Sequence, residues 1–368
     1  MPKPEETVAA ARAWNFGAGP GALPDEVLGW IKEDLPVYQN SGASIMEHSH
    51  RGKIYMAVHA EATANTRKLL GVPDDYAVLW IQGGATGQFD MVPLNLMGER
   101  QSADYTHTGE WSSKAIAEAK VIGAVNVVAD TAADRPCRMP RPEELKWSPS
   151  AAYAHITTNE TISGTQWQAV PATPSPLIAD MSSDIFSKPI DVKKFGLIYA
   201  GAQKNIGPAG VALVILRKEL AARCPAKTPK FFRYSTHIEN DSMYNTPPTF
   251  GIYVCALVTR WLLARGGLAE VAKANAQKAQ LLYGAIDGSS FYKPAAAKEF
   301  RSPMNVTWRL PSEELEKKFV KESEAAGMIG LAGHRSVGGL RASIYNACTL
   351  QAVQALVSFM KEFERKSG

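Results

Sequence analysis

Phe195-Gly196-Leu197-Ile198-Tyr199-Ala200-Gly201-Ala202-Gln203-Lys204-Asn205-Ile206-Gly207-Pro208-Ala209-Gly210-Val211-Ala212-Leu213-Val214-Ile215-Leu216 holds two short apolar runs, 197–200 and 211–216, bounded by glycine. Such runs predict buried strands. The loop between them carries a single basic residue, Lys204, among Gly201, Gly207, Pro208 and Gly210. A lysine held there by a stiff loop is partly removed from water. Desolvation disfavours the ammonium, lowers its pKa and frees the amine for Schiff-base chemistry. A solvated loop lysine is the ordinary alternative.

Upstream, Leu177-Ile178-Ala179-Asp180 is a short apolar run ending in a carboxylate. An acid at the C-terminal end of a strand lies on the ligand-binding edge of an α/β sheet. Twenty-four residues separate Asp180 from Lys204, room for one connection to a neighbouring strand. Pyridoxal 5′-phosphate (PLP) needs such a pair: a lysine for its aldehyde and a carboxylate for its ring nitrogen.

The 368 residues exceed what one core usually organises, which predicts two domains. With 45% hydrophobic and 21% charged residues, the composition is that of a soluble globular enzyme. A net charge of +4, without a Lys/Arg run, speaks against nucleic acid as a partner. Cys137, Cys224, Cys255 and Cys348 form no CxxC, so reduced thiols in the cytoplasm are expected, with no metal site. No apolar run has the length of a membrane span.

Around this centre the chain reads as alternating strands and helices. A polar lead, 1–14, is expected to be mobile, followed by a Gly/Pro-rich turn at 15–24 suited to close backbone approach. His48, His50, Arg51 and Lys53 cluster at the start of a helical pattern, where Arg51 suits a carboxylate or phosphate. The strand 76–81 runs into Gln82-Gly83-Gly84-Ala85-Thr86-Gly87 and then a helix, an arrangement that binds phosphate through backbone N–H groups. Trp111 reads as either a core anchor or a ring that stacks on a flat cofactor. A strand over 151–157 ends in the polar cluster 158–164, placed to hydrogen-bond a ligand. The polar segment 218–240 is expected to be irregular, as an interface or lid. An alternating strand at 301–310, an amphipathic helix at 312–326, a basic Gly-rich turn at 333–344 and a final helix at 349–365 make a small C-terminal unit.

Five motifs in order, SHRGK at 49–53, NETISG at 159–164, YAGAQKNIGPAG at 199–210, NTPPTF at 245–250 and GHRSVGGLRASIYNA at 333–347, resemble the phosphoserine aminotransferase family. These are fold-type I, PLP-dependent class V enzymes, and the likeness runs from about residue 15 to the C-terminus. It implies an α/β fold: a large domain at 15–260 with a mainly parallel central sheet flanked by helices, and a small α+β domain at 261–368. It implies ping-pong transfer of an amino group from L-glutamate to 3-phosphohydroxypyruvate, giving O-phospho-L-serine and 2-oxoglutarate. A second role in pyridoxine synthesis, through 4-phosphohydroxy-L-threonine, is left open.

By resemblance, Lys204 carries the cofactor and moves the proton, Asp180 pairs with the ring nitrogen, Trp111 stacks on the ring and Thr161 bonds its phenolic oxygen. Ala85, Thr86 and Gln203 hold the cofactor phosphate, joined from the other subunit of a homodimer by Asn245 and Thr246. Arg51 takes the substrate α-carboxylate, and His50, His334 and Arg335 face the substrate phosphate or the side-chain carboxylate of glutamate. Gly17-Ala18 stands where many members carry serine, leaving a backbone contact at Ala18, and Ala85-Thr86 stands where some carry Gly-Arg. A class V enzyme acting on alanine or serine would keep Lys204 and Asp180 without needing the basic set.

Overall fold

The computed structural model describes residues 12–98 and 102–368. Much of the expected mobile lead therefore lies outside the described residues. Its last part does not stand apart: Trp14–Asn15 (β1) pairs in parallel with a strand near the C-terminus, Met328–Ile329. Phe16, fully buried, belongs to the apolar core of the C-terminal unit. Residues 14–16 are thus tied to the C-terminal core.

From there Asp25–Asp34 (α1) and Lys53–Leu70 (α2) lead to Tyr76–Gln82 (β2), Ala85–Leu96 (α3), Ser102–His107 (β3), Glu110–Ile122 (α4) and Ala124–Asp130 (β4). Ala154–Thr157 (β5) is followed by a two-stranded hairpin, Asn159–Glu160 (β6) and Thr165–Gln166 (β7). Leu177–Asp180 (β8), Leu197–Gly201 (β9) and Val211–Arg217 (β10) complete the main sheet. Its order is β2-β10-β9-β8-β5-β3-β4, and only β10 runs against the rest. Every residue of β8 and β9 is buried, and two apolar clusters lie on the two faces of the sheet. Coverage of both faces is why these strands read as continuous apolar runs instead of alternating ones.

The antiparallel β9–β10 pair is joined by the Lys204 loop at the sheet edge where β2, β3, β5 and β8 also end. The sequence-predicted strands and helices around it therefore converge on one edge. The segment 218–240 differs from expectation. It forms short helical turns, including Tyr234–Glu239 (α5), docked on α3: Asn95 Nδ2 donates to the Phe232 carbonyl, its Oδ1 accepts from Tyr234 N, and Tyr234 OH donates to Gln88 Oε1. Leu220, Ala221 and Tyr234 also pack in the core on that face of the sheet, but the short turns between them leave no single apolar period.

Thr249–Ala264 (α6) is almost wholly buried beside α2, and Leu268–Asp287 (α7) leaves it at 87°. Val271 packs in the first core and Ala279, Leu282 and Ile286 in the C-terminal one, so α7 itself bridges the two. Lys293–Pro294 (β11), Asn305–Arg309 (β12), Glu313–Ala325 (α8), Met328–Ile329 (β13), Leu340–Ser343 (β14) and Leu350–Ser367 (α9) finish the chain. Ser312 Oγ caps α8 by accepting from Leu315 N, and Thr349 Oγ1 caps α9 by accepting from Ala352 N. Trp308 and Phe319 meet edge to face in this core; each such ring buries enough apolar surface to contribute on the order of 2–3 kcal/mol. Among the described residues no single helix is long and apolar enough to cross a membrane.

Candidate active site

Lys204 is buried (8% exposed) in the β9–β10 loop. Its Nζ donates to Thr161 Oγ1 at 2.6 Å and stands 4.6 Å from the centroid of the Trp111 ring. Burial pulls its pKa down to about 8, while the carboxylates of Asp180 and Glu160 act in the opposite sense. The amine is therefore far more available near neutrality than that of a solvated lysine. Its loop is packed from above by the N-terminal turn: Gly21 N donates to the Gln203 carbonyl at 2.7 Å. A Cβ at Gly21 would lie 2.7 Å from the Lys204 carbonyl, which no larger residue can accept.

Asp180 closes β8 and is paired in register with Tyr199 of β9. It is buried, and Ser182 N donates to its Oδ1 at 2.8 Å. Burial raises its pKa, and Lys204 and Ser182 oppose that rise. A cationic ring nitrogen brought against such a carboxylate would hold it ionised.

Gln82, Gly83 and Gly84 end β2, and α3 begins at Ala85 with its first N–H groups free of helical partners. A Cβ at Gly83, Gly84 or Gly87 would meet nothing within 4 Å, so open space lies over this helix start. A Cβ at Gly201 would touch both Gln203 Oε1 (2.8 Å) and Ala85 N (3.3 Å), which places the Gln203 carboxamide at the same corner. Gln203 Oε1, Trp111 Nε1 and Thr157 Oγ1 are all shielded from solvent without a hydrogen-bond partner. A depressed amine facing an indole, a buried carboxylate on the next strand, an open helix N-terminus and unpartnered polar atoms fit a phosphorylated aromatic aldehyde such as PLP.

The class-V aminotransferase model matches residues 13–356. The phosphoserine aminotransferase of Niallia circulans is 54% identical over 359 residues, covering 97% of this chain and 99% of that one. The chain belongs to the phosphoserine aminotransferase family of class-V aminotransferases. The solved phosphoserine aminotransferase from Bacillus circulans subsp. alkalophilus superposes with a TM-score of 0.95 at 53% identity, covering 97% of this chain and 99% of that one. The PLP-bound phosphoserine aminotransferase of Trichomonas vaginalis does so with a TM-score of 0.92 at 41% identity, covering 95% and 100%. The α/β fold expected from sequence, with its mainly parallel sheet, is thus the fold of phosphoserine aminotransferases, and the chain is an aminotransferase.

A cavity of about 800 Å³ is lined by Glu110 and Ile162, the chain neighbours of Trp111 and Thr161, and by Gly109, Ser163, Ser336 and Arg341 among others. Burial lowers the pKa of His334, whose Nδ1 lies 2.7 Å from Ser336 Oγ, and the charge of Arg341 adds to the lowering. Arg335 is exposed beside it. Arg341, on β14, was not singled out by sequence reasoning. The residue is half-buried, its Nε is shielded without a partner, and its charge lowers the Lys204 pKa. The sequence signal was its place inside GHRSVGGLRASIYNA, but only the fold turns it inward.

Arg51 lies exposed at the start of α2, and neighbouring His50 keeps Nε2 shielded and unpartnered. Asn245 Nδ2 donates to Gln82 Oε1 at 2.8 Å, at the rim of the Gly-rich turn, and Thr246 is exposed. The Ala18 carbonyl accepts from Tyr345 OH at 2.6 Å, which ties the N-terminal turn to the end of β14.

Proposed function

We propose that the chain catalyses PLP-dependent transfer of the amino group of L-glutamate to 3-phosphohydroxypyruvate, giving O-phospho-L-serine and 2-oxoglutarate. The observation that carries this reading is the buried Lys204 amine, pulled down to about 8 and facing the Trp111 ring, with the Arg341-lined cavity reaching the chain neighbours of Trp111 and Thr161. When bound, PLP supplies an electron sink that stabilises negative charge at the substrate α-carbon.

The chain's own residues do the rest. Lys204 Nζ would hold the aldehyde, take the proton from the α-carbon of the amino donor in one half-reaction and deliver one to the α-carbon of the amino acceptor in the other. Asp180 holds the proton on the ring nitrogen. Thr161 Oγ1, now within reach of Lys204 Nζ, serves the phenolic oxygen. The N–H groups of Ala85 and Thr86, the Thr86 hydroxyl and the Gln203 carboxamide take the cofactor phosphate. Trp111 covers the ring face and excludes water.

For the substrate α-carboxylate the reading takes Arg341 in place of Arg51, because Arg341 is half-buried and lines the cavity while Arg51 is exposed. His50, Arg51, His334 and Arg335 then serve the phosphate of one substrate and the γ-carboxylate of the other. A group of several cations accepts both anions where one forked pocket would favour one.

The reading includes a homodimer, in which Asn245 of the partner subunit and Thr246 of the partner subunit reach the phosphate. Exposed Met46, Met56 and Tyr244, close in sequence to SHRGK and NTPPTF, supply apolar surface for such an interface. Free cysteines suit the cytoplasm.

The test follows the yellow band of the bound cofactor on adding O-phospho-L-serine, L-glutamate or L-alanine. Bleaching by the first two and hardly by alanine is expected. Bleaching mainly by alanine overturns the substrate assignment, and an unchanged band in Lys204→Ala overturns the role of Lys204.

A further inference from the structure

The first turn of an α-helix exposes N–H groups that a neighbouring side chain normally caps from the residue just before the helix. At α4 that residue is Gly109, which has no side chain to offer. The cap comes instead from a residue some fifty positions away. Glu160, fully buried on β6, accepts at Oε1 from Ser112 N (3.2 Å), Ser112 Oγ (2.9 Å) and Thr108 Oγ1 (3.1 Å), and at Oε2 from Trp111 N (3.4 Å). Gly109 is glycine for the same reason: a Cβ there would sit 2.8 Å from Glu160 Cδ.

Two further facts connect this cap to the site. The next residue after Glu160 is Thr161, which accepts from Lys204 Nζ. Glu160 holds the backbone N–H groups of both Ser112 and Trp111, and the Trp111 indole Nε1 has no partner of its own. The orientation of that ring is therefore left to packing and to the anchored helix start. We propose that Glu160 is a positioning residue, which fixes the first turn of α4 so that the Trp111 face stands over Lys204 Nζ where the PLP ring binds. This rests on the stacking role given to Trp111 above. Burial raises the Glu160 pKa, and the four donors together with the helix N-terminus work to keep it ionised.

The decisive experiment is a double-mutant cycle on the full chain, resolved and reconstituted with PLP. Its readouts are the PLP dissociation constant and the circular dichroism of the visible cofactor band. Glu160→Gln keeps the shape but turns an NH₂ toward N–H donors. It should weaken PLP binding by about tenfold or more and diminish the visible dichroism. In a Trp111→Ala background the same change should cost less than about threefold, because the ring it positions is gone. Thr108→Val, a milder change that removes the hydroxyl donating to Glu160 Oε1 and leaves the Ser112 contacts to Thr108 N and Gly109 N in place, should move both readouts the same way and serves if Glu160→Gln fails to fold.

Equal losses in both backgrounds would make Glu160 merely structural and overturn the proposal. A weakened Trp111→Ala with unchanged Glu160→Gln would overturn it alone. An unchanged Trp111→Ala would remove the stacking role as well.

Discussion

Thr161→Val is the sharpest probe of how the site tunes its amine. The swap preserves shape and removes the oxygen that accepts from Lys204 Nζ at 2.6 Å. Both groups are buried, so water does not readily replace the lost partner. A hydrogen bond to a charged group in such a place contributes about 1.5–3 kcal/mol, and one pH unit corresponds to about 1.4 kcal/mol. The bond favours the ammonium, so its loss should lower the Lys204 pKa from about 8 by roughly one to two units. The assay is the initial rate at which the apo chain captures PLP, trapped by borohydride and read across pH. Capture needs the neutral amine, so the wild-type rate should rise through the Lys204 pKa. The Thr161→Val profile should rise at lower pH and reach a similar plateau. A midpoint that stays in place, or moves upward, would refute the idea that Thr161 holds the proton on Lys204.

Arg341→Gln should impair O-phospho-L-serine and L-glutamate alike, since every amino donor carries an α-carboxylate, whereas Arg335→Ala should harm the phosphorylated substrate more than non-phosphorylated amino acids. Steady-state kcat/KM for each substrate checks both, and the opposite pattern would exchange the two roles. Gly164→Ala should destabilise the chain by about 2–4 kcal/mol in denaturant unfolding, because φ is strained for alanine. Gly164 has φ +72°, and a Cβ there would lie 2.5 Å from Thr307 Oγ1. A smaller loss would mean that the β6–β7 hairpin can shift away from β12. Lys204 is also linked to stability. Its folded pKa of about 8 lies below the unfolded value, so the unfolded chain binds more protons between about pH 8 and 10.4 and this group's penalty fades as pH rises through that window. Urea unfolding of the apo wild type and Lys204→Met at pH 7 and 10 should show the variant's relative advantage shrinking at pH 10; a constant difference would contradict the depressed pKa.

Lys204, Asp180 and the strand–glycine–helix turn at Ala85 were legible from the chain alone because each depends on local physics. Short apolar runs make buried strands, strand ends in an α/β sheet face ligands, and glycines open a helix start to an anion. The family motifs then carried the reading to Trp111, Thr161 and Gln203. The placement of Arg341 and Glu160 was not legible. Their neighbours are distant in sequence: Glu160 meets the α4 start about fifty positions away, and Arg341 is turned out of the C-terminal core and into the cavity by the alternation of β14, whose Leu340 and Ala342 face that core. The docking of Trp14–Phe16 on the C-terminal core and the folding of 218–240 onto α3 are of the same kind. Periodicity and spacing determine which segments become strands and helices. Which buried charge faces which amine depends on burial and packing between remote segments, and only the tertiary structure sets those.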